Sequence, residues 1–327
     1  MPPVRVGVWG VGAWGEKHAR VYASLAPEGA RLVGLHDRHP GRAAAVAARY
    51  GGRAFDSADE LLEACEAVSV AVPTVAHRAA TEQALAAGCH VLVEKPIATS
   101  VAEADLMIAA AQRHRRLLQV GHVERFNPAL MAARSEVRAP KFIEAHRLAV
   151  FQPRSLDIDV VFDLMIHDID IVLDVVGAYP VTLSAVGVAV LSPKEDIANA
   201  RLEFEDGCVA NLTASRVSQE RLRRLRFFQS DAYLALDLGE RTGDWLWVDP
   251  AAAAGAHTGS GAVPAIHRRT LPVVPGEPLQ LQLQAFLNST AGRGDGAASA
   301  RAGREALRVA EAVQEAMKRR AGMWVAR

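Results

Sequence analysis

The sequence predicts an α/β chain in two domains. The first is a parallel sheet flanked by helices. The second is an α+β domain on a large open, mainly antiparallel sheet. Three observations carry this expectation. Over residues 1–121, short apolar runs alternate with longer helical stretches, the pattern of βαβ units. Over residues 122–327, strand-like alternation of apolar and polar residues takes over. The chain has 327 residues, half of them hydrophobic, enough for more than one core.

Taking the elements in order, VRVGVW (4–9) suits a strand, GVGAWG follows at Gly10–Gly15, and EKHARVYASLA reads as a helix. Strand, glycine turn and helix in that order predict a Rossmann dinucleotide-binding unit. Gly10 permits the tight turn, Gly12 lets the backbone approach a pyrophosphate, and Gly15 lets helix and strand pack closely. Ala13 and Trp14 complete the loop, and the helix N-terminus offers N–H groups and a positive dipole end to the phosphates. ARLVGLHD (30–37) is the second strand, and Asp37 lies 22 residues beyond Gly15 (37 − 15), where an acidic group meets the adenosine ribose. A carboxylate there accepts from both ribose hydroxyls and repels a 2′-phosphate, favouring NAD. Arg38 beside it would tolerate that phosphate, so NADP stays open.

The alternation continues. GRAAAVAARY is a helix closed by Gly51 and Gly52. Ser57 and Glu60, then Ser100 and Glu103, stand in capping-box spacing before two further helices. AVSVAVP, HVLVEKP and RLLQVGH are strands, and VAHRAATEQALAAG is a helix ending at Gly88. Ligands of parallel sheets lie outside the carboxyl ends of the strands. Pro73, Thr74, His77 and the triplet Glu94-Lys95-Pro96 fall at such ends. Lys95 is either a solvated strand end or a charged group placed where the nicotinamide lies.

Past residue 121, GHVERFNPAL enters a helix, KFIEAHRLAVF alternates like a half-exposed strand, and ARLEFEDGCVANLTAS is a hairpin turning at Asp206-Gly207. LRRLRFFQSDAYLALDLG continues as strand, the low-complexity stretch 249–265 is expected to be a mobile loop, and SARAGREALRVAEAVQEAMKRR is a long helix. In VVFDLMIHDIDIVLDVVG (160–177), Asp163, His167 and Asp170 stand at i, i+4 and i+7, one face of a helix. A polar stripe on so apolar a helix is costly to bury. It reads as a solvated face or as the lining of a cleft.

Composition narrows the function classes. Lys+Arg and Asp+Glu stand at 37 each, so charge makes no case for nucleic acid or an anionic membrane as partner. Cys65, Cys89 and Cys208 form no CxxC pair, so neither disulfides nor a metal site is expected. The N-terminus lacks the basic and apolar regions of a signal peptide, and no apolar run approaches the roughly 20 residues of a membrane span. A cytoplasmic protein is expected.

GVGAWG with Asp37, the EKP triplet and DLMIHDID together resemble the glucose-fructose oxidoreductase, inositol dehydrogenase and rhizopine catabolism (Gfo/Idh/MocA) family. The resemblance implies an NAD(P)-binding Rossmann domain, a substrate domain, and hydride transfer at a sugar or cyclitol carbon. It places the family's EKP lysine on Lys95 and its DxGxHxxD helix on Asp163, His167 and Asp170, with Met165 replacing the usual glycine. VGHVERFNP and DLMIHDIDIVL are most similar to the branch oxidising UDP-N-acetylglucosamine at C3. Arg125 and Asn127, by resemblance to members with RFNP, would line the nicotinamide–substrate junction.

In this reading His167 is the base, since an unperturbed imidazole titrates at about 6.5, near working pH. Lys95 stabilises negative charge on the reacting oxygen, although a dry pocket would let it serve as base instead. Asp163 orients His167 or holds a neighbouring hydroxyl. A sugar nucleotide carries a diphosphate, for which Arg216, Arg221, Arg223, Arg224 and Arg226 are candidate partners. The uncovered sheet face predicts a homodimer or homotetramer. Alternatives are an inositol or simple-sugar dehydrogenase, a redox glycosidase with tightly held NAD, and a non-catalytic NAD-sensing regulator. The last has no need of Lys95 and His167 together.

Overall fold

The structure is a computed structural model, describing residues 2–152, 158–248, 265–293 and 299–325. Residues 249–264, nearly all of the expected loop, lie outside the described residues. The chain forms two compact units, residues 1–126 with 276–308, and residues 127–275 with 309–327.

The first unit holds a sheet of β1 (Val4–Trp9), β2 (Ala30–His36), β3 (Arg53–Ala54), β4 (Ala67–Val70), β5 (His90–Val93) and β6 (Leu118–Val120). All pairings are parallel and the order is β3-β2-β1-β4-β5-β6. Strand order reverses direction between β1 and β4. That switch point opens a crevice at the carboxyl ends, where dinucleotides sit. Connecting helices are α1 (Ala13–Ser24), α2 (Pro40–Tyr50), α3 (Ala58–Ala64), α4 (His77–Ala86) and α5 (Val101–His114). Both expected caps form: Ser57 accepts from the Glu60 N–H and Ser100 from the Glu103 N–H. β4 is buried at every residue and β5 at three of its four, which explains why AVSV and HVLV read as unbroken apolar runs.

The second unit begins with α6 (Pro128–Ala133). Its eight-stranded sheet contains β7 (Phe142–Leu148), β8 (Thr182–Val188), β9 (Ile197–Glu203), β10 (Val209–Ser215), β11 (Leu222–Phe228), β12 (Ala232–Asp237), β13 (Thr242–Val248) and β14 (Ile266–Thr270). The order is β14-β13-β12-β11-β7-β10-β9-β8, and all neighbours are antiparallel except β7 and β10. The Asp206-Gly207 turn joins β9 to β10, with Gly207 at φ +81°, and Leu202, Phe204, Cys208, Ala210 and Leu212 are buried. Helix α7 (Ile166–Val176) packs on β7 and β10. A π-helical turn, Val161–Met165, precedes it. Asp163 is therefore not on the same regular helix as His167 and Asp170, and the i, i+4, i+7 geometry expected of the three does not hold from 163 to 167.

The chain then returns to the first unit. Leu279, Leu283, Phe286 and Leu287 of α8 (Pro278–Thr290) lie in one buried cluster with Val6, Val8, Tyr22, Leu25 and Leu92. The boundary expected at residue 121 thus falls close to the observed 126, but residues 276–308 belong with the first unit, not the second. The long helix α9 (Ala300–Val325) closes the described chain. Phe286 is fully buried. Phe286→Ala is expected to cost about 3–5 kcal/mol, read from denaturant unfolding, as for any residue of that core. A cost near zero would place α8 outside it.

Candidate active site

The glycine loop has the geometry its sequence demands. Gly10 sits at φ +88°, and a Cβ there would lie 2.7 Å from the Val72 nitrogen. A Cβ on Gly15 would lie 1.8 Å from the Gly10 carbonyl oxygen, so strand and helix meet as closely as backbones can. Gly12 caps α1 with no side-chain hydrogen bond, and the space where its Cβ would project is open. An uncapped helix N-terminus beneath open space fits a dinucleotide pyrophosphate. Asp37 is buried at the end of β2; its Oδ2 accepts from the Val11 N–H at 2.9 Å and its Oδ1 from the His39 N–H at 2.9 Å. The carboxylate is thereby fixed against the glycine loop, with lone pairs left for ribose hydroxyls. Arg38 is exposed beside it, Ala13 and Trp14 are exposed in the first turn of α1, and Lys17 lies over the Trp14 ring.

At the end of β5, Glu94 and Lys95 are half-buried and the Lys95–Pro96 peptide is cis. Burial pushes the Glu94 carboxyl up. Its hydrogen bond with His18 and its electrostatic interactions with His18, Lys95 and His77 outweigh this and bring it below the ordinary value. Pro73 and Thr74 stand at the end of β4, where Thr74 opens a short 3-10 turn. His77, expected to face the cofactor, is instead buried. Its Nδ1 is 2.9 Å from the Pro96 carbonyl oxygen and its Nε2 3.0 Å from that of Val72. Burial lowers its pKa. As a neutral ring it donates to one of these carbonyls and packs against the other, between two strand ends. Arg125 is buried within the turn Val123–Phe126.

In the second unit, a cleft of about 160 Å³ opens beyond the carboxyl ends of β7 and β10. It is lined by Asp163 and Leu164 of the π turn, Gln152, and the arginines Arg147, Arg216, Arg221 and Arg223. Two of those arginines are committed to buried carboxylates. Arg147 donates to Asp168 through Nε at 2.9 Å and Nη2 at 2.8 Å. Arg216 donates to Asp196 at 2.8 Å, to the Ile158 carbonyl at 2.8 Å and to Ser192 Oγ at 2.9 Å. Asp196 Oδ2 also accepts the N–H groups of Val190, Leu191 and Ser192. Despite the cost of its burial, these bonds hold its carboxyl far below the ordinary range. Arg216 therefore anchors a loop at the cleft wall, where a phosphate contact was expected of it. Arg221 and Arg223 are the exposed cations of the lining.

His167 is half-buried on α7, and Asp170 is buried. Asn127, expected near the nicotinamide, caps α6 by accepting from the Ala129 N–H at 3.1 Å and donates to the Leu238 carbonyl at 2.9 Å. Sequence reasoning missed Arg147 and Asp168. The available signal was the apolar phase of β7: Ile143, Ala145 and Arg147 share its buried face, and a buried guanidinium requires a carboxylate.

A profile of the oxidoreductase family with the NAD-binding Rossmann fold, GFO_IDH_MocA, matches residues 4–122, and the GFO/IDH/MocA C-terminal domain matches residues 130–235. The chain belongs to the GFO/IDH/MocA family. Among its relatives, UDP-N-acetylglucosamine 3-dehydrogenase from Acidithiobacillus ferrooxidans is 41% identical over 324 residues, spanning 97% of this chain and 99% of that protein. A solved structure of UDP-N-acetylglucosamine 3-dehydrogenase GnnA from Acidithiobacillus ferrooxidans superposes with a TM-score of 0.88 at 39% identity, covering 97% of this chain and 98% of that one. Inositol 2-dehydrogenase from Acidothermus cellulolyticus is 34% identical over 179 residues, 52% of each chain. The GFO/IDH/MocA chain described here is thus an NAD-binding oxidoreductase.

Because Asp196 and Arg216 are both buried, removing one leaves the other uncompensated. Asp196→Ala is expected to cost about 3–5 kcal/mol in urea unfolding. A cost under about 1 kcal/mol, typical of exposed pairs, would show that the loop needs no such anchor.

Proposed function

We propose that this protein oxidises the C3 hydroxyl of UDP-N-acetylglucosamine with NAD. The observation that carries the substrate class is the cleft with Asp163 in one wall and arginines around it. A carboxylate suits sugar hydroxyls, and guanidinium forks suit a diphosphate. Similarity to a UDP-N-acetylglucosamine 3-dehydrogenase along the full chain supports the same choice.

NAD, when bound, accepts the hydride from the carbinol carbon. His167 takes the hydroxyl proton as that carbon becomes a carbonyl, and Asp163 orients His167 or a neighbouring hydroxyl. Lys95 donates to the reacting oxygen and stabilises its developing negative charge. The glycine loop and Asp37 hold the pyrophosphate and ribose, with Asp37 favouring NAD over NADP. Arg221 and Arg223, on the open side of the cleft, take the diphosphate in the place first assigned to Arg216. Cytoplasmic location and a homodimer or homotetramer complete the proposal. The half-buried second face of the large sheet, and the exposed Val181, Val188, Val190, Leu191 and Ile197 near its β8–β9 edge, support association.

The competing reading is an inositol dehydrogenase, a type to which the chain is similar over about half its length. A neutral polyol brings no anion to the arginines. Following NADH absorbance with UDP-N-acetylglucosamine, free N-acetylglucosamine and myo-inositol separates the two; turnover of inositol alone overturns the proposal. Lys95→Ala should lower kcat by about 100-fold or more, the scale for losing one donor to a developing oxyanion, with NAD affinity nearly unchanged by fluorescence titration. Arg221→Ala should raise KM for the sugar nucleotide about tenfold, as loss of one charge-assisted hydrogen bond does, and leave KM for NAD unaltered.

A further inference from the structure

A buried chain of polar groups in the first unit ends at Glu94. Tyr22 Oη is 2.9 Å from Ser69 Oγ, Ser69 Oγ is 3.0 Å from His18 Nδ1, and His18 Nε2 is 2.9 Å from Glu94 Oε1. Tyr22, Ser69 and His18 are each 0% exposed, and the Glu94 side chain is 12% exposed. One neutral arrangement satisfies the whole chain. Tyr22 donates to Ser69, Ser69 donates to Nδ1, and the Nε2–H donates to the Glu94 carboxylate. Burial raises the Tyr22 pKa strongly, so its phenol remains a donor.

Glu94 also packs against Gly121. A Cβ on Gly121 would lie 2.7 Å from Glu94 Oε1, so only glycine leaves room for the carboxylate there. The backbone is held as well, since the Glu94 N–H donates to the Val70 carbonyl at 3.0 Å. His18 comes from α1, the helix that starts at the glycine loop, while Glu94 is the residue before Lys95. The helix carrying the cofactor loop and the strand end carrying the lysine are therefore joined by one hydrogen bond.

We propose that His18 is a positioning residue: by holding the Glu94 carboxylate in place, it keeps a fixed anion beside Lys95 and so maintains Lys95 as an ammonium ion. The groups acting electrostatically on Glu94 are His18 from α1, His77 from α4, and Lys95 itself. Without its donor, a carboxylate this buried moves toward the protonated form. The lysine then loses its neighbouring negative charge, and its ammonium releases a proton at lower pH.

The proposal rests on the role given to Lys95 above, and its test requires no substrate. The sequence contains five lysines, Lys17, Lys95, Lys141, Lys194 and Lys318, few enough to follow individually by NMR of protein labelled with [ε-13C]lysine. Lys95→Arg assigns the Lys95 signal. In His18→Leu the Lys95 midpoint should fall by about one pH unit, the scale on which one adjacent charge acts. Glu94→Gln should produce the same fall, and adding His18→Leu to it should change nothing more. His18→Gln, which keeps a donor for Glu94, should restore most of the wild-type midpoint. In turnover, His18→Leu should lower kcat about tenfold, as one lost unit of differential stabilisation does, with KM unchanged.

A Lys95 midpoint equal in wild type and His18→Leu overturns the proposal. If the leucine variant does not fold, Ser69→Ala takes its place. That substitution keeps the ring and removes its buffer of hydrogen bonds on the far side, and should move the midpoint in the same direction by less. No movement there also overturns it. Absence of wild-type activity on the sugar nucleotide, with the lysine shift intact, would sink the substrate assignment and leave the positioning role standing.

Discussion

The buried pairing of Arg147 with Asp168 is the constraint from which the geometry of the second unit follows. It ties β7 to α7 through two parallel hydrogen bonds. Neither partner can rotate away without stranding a charge in the interior, which costs far more than the pair itself contributes. His167 precedes Asp168 in the chain, so the tie settles how α7 presents that imidazole. Arg147 also lines the cleft to which the π turn contributes Asp163. One ion pair thus sets the helix, the cleft and the candidate base against a single sheet. π turns occur often at functional sites, and this one widens the helix where a regular turn would have rotated Asp163 elsewhere.

The first unit works by a different principle. Its functional groups stand at strand ends, and backbone contacts place them with little help from charge. Gly10 and Gly15 bring α1 against β1, the His77 ring sits between carbonyls at the ends of β4 and β5, and Asp37 takes a loop N–H. Polar side chains that look like ligand contacts in the sequence are here partly consumed in building the surface on which a ligand rests.

That consumption explains what was legible in the sequence and what was not. The glycine loop, the two capping boxes and the Asp-Gly hairpin depend on a few neighbouring residues, so their spacing carried them. Whether His77, Asn127 or Arg216 faces a ligand or a carbonyl depends on groups far away in the chain, and no local pattern encodes it. The π turn was invisible because spacing arguments assume a constant rotation per residue. Helix α8 was missed for a further reason: Leu279, Leu281 and Leu283 alternate with glutamines, a strand-like period laid over the helical stripe of Leu279, Leu283, Phe286 and Leu287. Its membership of the first unit could not be read at all, since nothing near residue 286 names Tyr22 as a neighbour.

The return of α8 to the first core has a bearing on how the chain is born. During synthesis the Rossmann sheet emerges from the ribosome well before the helix that completes its hydrophobic packing. The whole eight-stranded sheet is translated in the interval. The nucleotide-binding half must therefore wait, with part of its apolar surface still open, while its later neighbour is made. Contacts so distant in sequence slow folding, and they leave each unit built from two segments of chain that alternate with those of the other.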